Sequence, residues 1–99
     1  MTTSATNLVN MTANEIVGLL KKREVTPAEL LDALRERISE VDNKVNALPT
    51  LCWERAYKDA DKMSNLSLDE RGILAGLPVA IKDLSPVSGV RSTWGSPIY

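Results

Sequence analysis

Hydrophobic residues recur every three or four positions along the first two thirds of the chain, a spacing typical of amphipathic helices. The first helix is predicted over about 13–22. Thr12 is a favourable N-cap and Glu15 stands three positions later, so the two residues match a capping box. Three residues form the apolar stripe of this helix: Ile16, Leu19 and Leu20.

The same pattern predicts a second and a third helix. Thr26 followed by Pro27 indicates a helix start, because proline suits the first helical position. This second helix is predicted to end near Val41, with Asp42-Asn43 as its exit, and to form a hairpin with the first. A third helix is predicted over about 52–63. Its apolar stripe comprises Trp53, Ala56, Tyr57, Ala60 and Met63.

The pattern changes after the third helix from helical spacing to alternation. A turn-rich link precedes a short strand predicted over 77–82. Ala80 and Lys82 share one face of this strand, and Leu77, Val79 and Ile81 share the other. A strand needs a partner for its backbone hydrogen bonds, and the sequence offers no second strand of similar quality. We therefore expect this chain to be a fragment whose partner strand lies elsewhere.

Composition narrows the possible functions. The 99 residues carry a net charge of −1 without a basic tract, so nucleic-acid binding is not expected. No apolar run is long enough to span a membrane, and the N-terminus lacks the pattern of a secretory signal. Cys52 is the only cysteine, which fits the cytoplasm. Histidine is absent from the sequence, which excludes Ser-His-Asp and Cys-His catalysis within this chain. We expect no metal and no cofactor.

Lys82 at the end of the predicted strand allows two interpretations. Most lysines at strand ends are solvated. A lysine that is buried instead disfavours its ammonium form, and a neutral amine can accept a proton from a hydroxyl group. Asp83 would oppose this by forming an ion pair, so we expect it to turn away and bond backbone or hydroxyl groups. The residues alone favour the solvated interpretation. Four serines follow in a Pro/Gly-rich loop, where serine commonly serves turns: Ser85, Ser88, Ser92 and Ser96.

The stretch GILAGLPVAIKDLSPVSGVRSTWGS, residues 72–96, resembles the start of the catalytic core in the amidase signature family. With the TPAEL helix start and the Asn46-Ala47 turn upstream, the resemblance covers about 11–96. Eight residues fall on the family pattern: Gly76, Pro78, Lys82, Asp83, Gly89, Thr93, Gly95 and Ser96.

The resemblance implies an α/β fold in which N-terminal helices lead into the first strand of a mixed sheet. It also implies hydrolysis of carboxamide C–N bonds by a Ser-cisSer-Lys triad whose lysine is Lys82. In the family, both serines and the oxyanion loop lie beyond the end of this chain. We therefore expect the 99-residue chain alone to be inactive. The implied organisation is a flexible arm over 1–10, a helical region over 11–65 and a truncated catalytic core over 66–99.

Two alternatives stay open at this stage. The chain could be a non-catalytic helical module that associates with another copy of itself through its unpaired strand. It could also be a piece of an amidotransferase A-type subunit, although nothing basic in this part supports contact with tRNA. For the amidase itself, the expected partner is a small-molecule amide, with no nucleic acid and no membrane, and the fragment is expected to self-associate.

Overall fold

The computed structural model describes residues 5–98 and is helical over most of its first two thirds. The helices are α1 (Ala5–Val9), α2 (Ala13–Lys21), α3 (Pro27–Val45) and α4 (Trp53–Ser64). With 19 residues, α3 is the longest, and both α1 and α4 pack against it. The three predicted helices therefore exist as α2, α3 and α4, and only the end of α3 departs by more than one or two residues from the expected bounds.

Threonine side chains start both α2 and α3, as predicted. The Thr12 hydroxyl oxygen accepts a hydrogen bond from the Glu15 N–H at 3.2 Å, and Thr26 accepts one from the Glu29 N–H at 3.1 Å. Each hydroxyl donates in turn to the carboxylate of the same glutamate, at 3.0 and 3.2 Å. These bonds satisfy backbone donors that the first turn of a helix leaves without intrahelical partners.

The end of α3 lies one turn later than the sequence indicated. The helix continues through Asp42 to Val45, and Asn46 then adopts a left-handed conformation with φ of 54°. The Asn46 N–H donates to the Asp42 carbonyl at 2.6 Å, and the Ala47 N–H donates to the Asp42 carboxylate at 2.8 Å. Asp42 therefore closes the helix from inside its last turn, so the predicted exit at Asp42-Asn43 was wrong.

The core lies where α1, α2 and the first turns of α3 meet. Its most buried side chain is Leu20, with none of its surface exposed. Six residues make up the buried cluster: Leu8, Leu20, Val25, Leu30, Ala33 and Ala75. Leu8 belongs to α1, a helix within the segment expected to be a flexible arm, and is only 4% exposed. The first four residues of that arm lie outside the described residues.

The predicted strand does not form among the described residues. Residues 77–82 carry no strand assignment, and Val79 and Ile81 are 62% and 59% exposed. A strand exists only through hydrogen bonds to a neighbour, so a sequence pattern cannot create one without that partner. The helical part of the expected fold is therefore present, and its sheet is not present in the described residues.

Two contacts fix the start of this extended segment on the helices. Arg71 is 8% exposed, and its guanidinium donates to the carbonyls of Ser64 at 3.3 Å and Leu66 at 3.4 Å, just at the end of α4. Gly76 has φ of +107° and lies so close to Pro27 and Met63 that a Cβ would come within 2.7 and 3.1 Å of them. The backbone therefore enters the extended segment at a fixed place beside α3 and α4.

In residues 5–98, no helix has the length and apolar character needed to cross a membrane.

Candidate functional site

Lys82 lies at the exposed end of the extended segment, where the backbone turns. Its carbonyl accepts a hydrogen bond from the Ser85 N–H at 2.9 Å, which closes a turn over residues 82–85. The ion pairs found among the described residues do not include Lys82, and its side chain is exposed. The dehydration expected for a catalytic lysine is therefore absent from this part of the protein.

Asp83 holds the loop that follows. One carboxylate oxygen accepts the Thr93 N–H at 3.0 Å, and the other accepts the Thr93 hydroxyl and the Gly95 N–H, both at 2.9 Å. These bonds lower the pKa of the Asp83 carboxyl, chiefly through the Gly95 N–H and then through the two groups of Thr93. The expectation that Asp83 turns to backbone and hydroxyl donors is confirmed.

The donors come from a tight turn at Thr93–Ser96. The Ser96 N–H donates to the Thr93 carbonyl at 3.0 Å, and the two central residues, Trp94 and Gly95, have φ of 56° and 69°. Positive φ at both central positions is the pattern of a type I′ turn. It directs two N–H groups at Asp83 from one side, as in the concave nests of backbone donors that bind anions. Trp94 is 59% exposed.

A hydrogen bond also joins the loop between Asp83 and Thr93 to α4. The Arg55 guanidinium donates to the carbonyl of Ser88, which follows Arg55 by 33 residues. Arg55 could not be identified from the sequence, because it lies among the polar residues of an amphipathic helix and nothing in that pattern distinguishes it. The carbonyl it contacts is also a backbone group, which carries no sequence signature.

The other chemically interesting residues have ordinary surroundings. The hydroxyl of Ser92 donates to the Val90 carbonyl at 3.3 Å, and that of Ser96 accepts the Ile98 N–H at 3.2 Å, as expected of serines in turns. Cys52 is exposed just before α4. Over residues 5–98, His, Cys, Asp and Glu side chains do not gather in threes as a metal site would require.

Comparison with known proteins identifies the class of the chain. The Amidase family profile matches residues 29–99, which include Lys82, Asp83 and the Thr93–Ser96 turn. Since this match covers more than half of the sequence, the chain belongs to the Amidase family.

Curated relatives align over nearly the whole chain. The A subunit of a glutamyl-tRNA(Gln) amidotransferase from Halothermothrix orenii is 42% identical over 91 residues, which are 92% of this chain and 18% of the relative. The same kind of subunit from Shouchella clausii is 36% identical over 92 residues, 93% of this chain and 19% of the relative. The chain thus spans about a fifth of the length of the curated relatives it matches. No solved structure matches the chain significantly.

Proposed function

We propose that Lys82 is the lysine of a Ser-cisSer-Lys triad in a polypeptide of the relatives' length, which hydrolyses carboxamide C–N bonds. The observation that carries the proposal is the family match, which spans Lys82 and the loop that Asp83 holds beside it. Both serines of the triad would lie outside this sequence, as the resemblance implies.

The proposed reaction requires only proton transfers and two acyl transfers. Neutral Lys82 takes the proton of the bridging serine, which takes that of the nucleophilic serine as its oxygen attacks the amide carbonyl carbon. The proton returns to the leaving nitrogen as the C–N bond breaks. Water then hydrolyses the acyl-serine ester by the same relay. The proposal includes no metal and no cofactor.

The proposed role of Lys82 requires surroundings that disfavour its ammonium form, and exclusion of water is the simplest of these. In this chain the side chain is exposed, so the covering residues must come from outside this sequence. The neighbours Val79, Ile81 and Leu84 are also more than half exposed. Their apolar side chains support the proposal, because a surface that covers them would dehydrate the lysine between them. The same cover would supply the strand partner of an α/β fold.

The names of the relatives favour a second candidate within the same chemistry. The curated relatives are amidotransferase subunits, so the amide nitrogen could pass to glutamyl-tRNA(Gln) rather than leave as ammonia. A tRNA-binding surface would then lie outside this sequence, since the net charge here is −1. Glutamate release from glutamine that rises severalfold when glutamyl-tRNA(Gln) is added, with the amide nitrogen recovered on the tRNA, would favour the amidotransferase. Glutamine hydrolysis that does not change with tRNA, with the nitrogen released as ammonia, would favour an independent amidase.

Self-association is the proposed behaviour of the 99-residue chain by itself, in the reducing cytoplasm that a single cysteine suits. Most of the exposed large hydrophobic residues lie in its last quarter or so: Ile73, Leu74, Val79, Ile81, Leu84, Trp94 and Ile98. An apolar surface of this extent favours association in water. Light scattering should give a mass above 10.8 kDa at high concentration, and a clean monomer would refute this part of the proposal.

An ammonia-release assay tests the main proposal. The 99-residue chain and a polypeptide of the relatives' length that contains it are each given a panel of simple carboxamides and glutamine. The longer protein should hydrolyse at least one of them, and the short chain none. Hydrolysis by the short chain would show that the triad assignment is wrong, and an inactive but folded longer protein would refute amide hydrolysis.

A further inference from the structure

The geometry points to Asp83 as a positioning residue that restrains the backbone carrying the Lys82 side chain, by accepting hydrogen bonds from the Thr93–Ser96 turn. This inference deepens the proposed function and depends on Lys82 being the base. Asp83 itself would touch neither substrate nor the reacting atoms. Its effect would pass through the backbone that it shares with the lysine.

The backbone on the C-terminal side of Lys82 is held at two successive points. The Lys82 carbonyl accepts the Ser85 N–H at 2.9 Å, and the next residue, Asp83, makes three hydrogen bonds of 2.9–3.0 Å to Thr93 and Gly95. The carboxylate thereby closes a loop of about ten residues. Since the Lys82 carbonyl and the residue after it are both held, the backbone that carries the Lys82 side chain is restrained on its C-terminal side.

The hydrogen bonds from Thr93 and Gly95 to the Asp83 carboxylate are called the clamp below. The clamp requires a carboxylate rather than any polar side chain. Each of its two oxygens accepts a backbone N–H, one from Thr93 and the other from Gly95. An asparagine has one oxygen and one NH₂ group, so either orientation of its amide places a donor against a backbone donor. Asp83→Asn preserves shape and breaks at least one bond, which makes it a sharp test.

The clamp also keeps the carboxylate away from the lysine. An ion pair with Asp83 would stabilise the ammonium form, which cannot accept a proton. With both oxygens bound to the turn, the carboxylate is directed at Thr93 and Gly95 instead. Asp83 therefore restrains the backbone of Lys82 and, at the same time, does not form the ion pair that would stabilise the ammonium form of Lys82.

The test measures kcat, KM and the pH dependence of kcat in the longer protein. We expect Asp83→Asn to lower kcat by about 10- to 100-fold, because small displacements of a catalytic group cost that much, while KM changes less than about twofold. Asp61→Asn, on the exposed face of α4, is the matched control for loss of one acidic charge and should leave kcat unchanged. If Asp83→Asn only reduces the amount of folded protein, kcat falls by the same factor at every pH. If the variant displaces the base, the ascending limb of the plot of kcat against pH changes shape.

Thr93 supplies a milder variant in case Asp83→Asn fails to fold. Thr93→Val removes only the hydroxyl donor and should lower kcat about 3- to 10-fold, and Thr93→Ser should restore it, as a single hydrogen bond to the carboxylate is involved. Unchanged kcat in the variants, or a uniformly scaled profile that matches the loss of folded protein, would overturn the positioning role. Lys82→Ala separates the two claims. If it retains activity, the proposed function fails too; if it abolishes activity while Asp83→Asn is normal, only the positioning role fails.

Discussion

The carboxylate of Asp83 accepts hydrogen bonds from both the backbone N–H and the side-chain hydroxyl of Thr93, ten residues further along the chain. This pair joins the two ends of a loop that lies within the residues matched by the family model. The Lys82 backbone is restrained on its C-terminal side, and the Lys82 side chain is exposed to solvent. The clamp is built entirely from residues of this chain, so it can be tested in the short chain before any activity is measured.

The clamp should loosen in acid. Hydrogen bonds from Gly95 and Thr93 lower the pKa of Asp83 below its ordinary value of 3.8. A carboxyl whose pKa is depressed on folding contributes stability above its unfolded pKa and loses it as the pH falls through the folded value. The amide proton shifts of Thr93 and Gly95 should therefore change in a step below about pH 3.8. In Asp83→Asn the same amides should show no step there, and a step that persists would contradict the clamp.

Gly76 should not tolerate a side chain. An added Cβ would lie 2.7 Å from Pro27 Cγ and 3.1 Å from Met63 Cγ, at a φ of +107° that other residues rarely adopt. Backbone strain and overpacking each cost about 1–3 kcal/mol, so Gly76→Ala should lower the free energy of unfolding by about 2–5 kcal/mol in urea denaturation.

Gly72→Ala is the matched control for Gly76→Ala. Gly72 also has positive φ, +80°, but nothing lies within 4 Å of where its Cβ would be. It should therefore show the strain cost of about 1–2 kcal/mol without the clash. If the two variants lose equal stability, the close approach of Gly76 to α3 and α4 is wrong.

Thr26 should contribute measurably to stability through the start of α3. Its hydroxyl accepts the Glu29 N–H at 3.1 Å, and α3 is the helix on which α1 and α4 pack. Thr26→Ala removes this N-cap and should lower the free energy of unfolding by about 1 kcal/mol. For a chain of this size that corresponds to a fall in Tm of about 4–8 °C. Thr50→Ala, outside the helices, should change Tm by less than about 2 °C because exposed positions away from such features rarely matter. Equal Tm values for the two variants would argue against the cap.

The contact between α3 and α4 should weaken in alkali. The Tyr57 hydroxyl donates to the Asp32 carboxylate at 2.5 Å, and this bond, followed by partial burial, raises the pKa of Tyr57 above 10.0. A raised pKa means that the contribution to stability is complete below pH 10.0 and is lost as the pH rises through the higher folded value.

Absorbance at alkaline pH measures this tyrosine directly, once the titration of Tyr57→Phe is subtracted. Asp32→Asn should move the Tyr57 transition back toward pH 10.0, because the hydrogen bond to the carboxylate is its largest cause. Asp69→Asn, an exposed residue in the link after α4, should leave the transition in place. A transition that Asp32→Asn does not move would contradict the contact.

Local patterns predicted those features whose physics is local. The threonine caps follow from side chains reaching N–H groups three residues away, so Thr12 and Thr26 could be identified from their spacing alone. The end of α3 could not, because Asp42 and Asn46 are both common at helix ends and only the backbone conformation decides between them.

Features that depend on distant partners were predicted poorly. The alternation at 77–82 resembles a strand, but no described residue supplies the neighbouring backbone. The burial of Leu8 was missed because α1 has only 5 residues and is held by packing rather than by its own sequence. The turn of Asp83 away from Lys82 was anticipated from charge, whereas the nest at Thr93 and Gly95 required the fold. The role of Lys82 and the boundary at 65/66 stay predictions.

The activity of Lys82→Ala in a polypeptide of the relatives' length tests the central claim most directly, with Lys62→Ala on the exposed face of α4 as the control. If Lys82 is the base, its removal should lower kcat for carboxamide hydrolysis by about 100-fold or more, and a small primary amine in solution should restore part of the rate. Lys62→Ala should behave as the unaltered protein. Near-normal turnover by folded Lys82→Ala would remove the lysine from the mechanism and contradict the account.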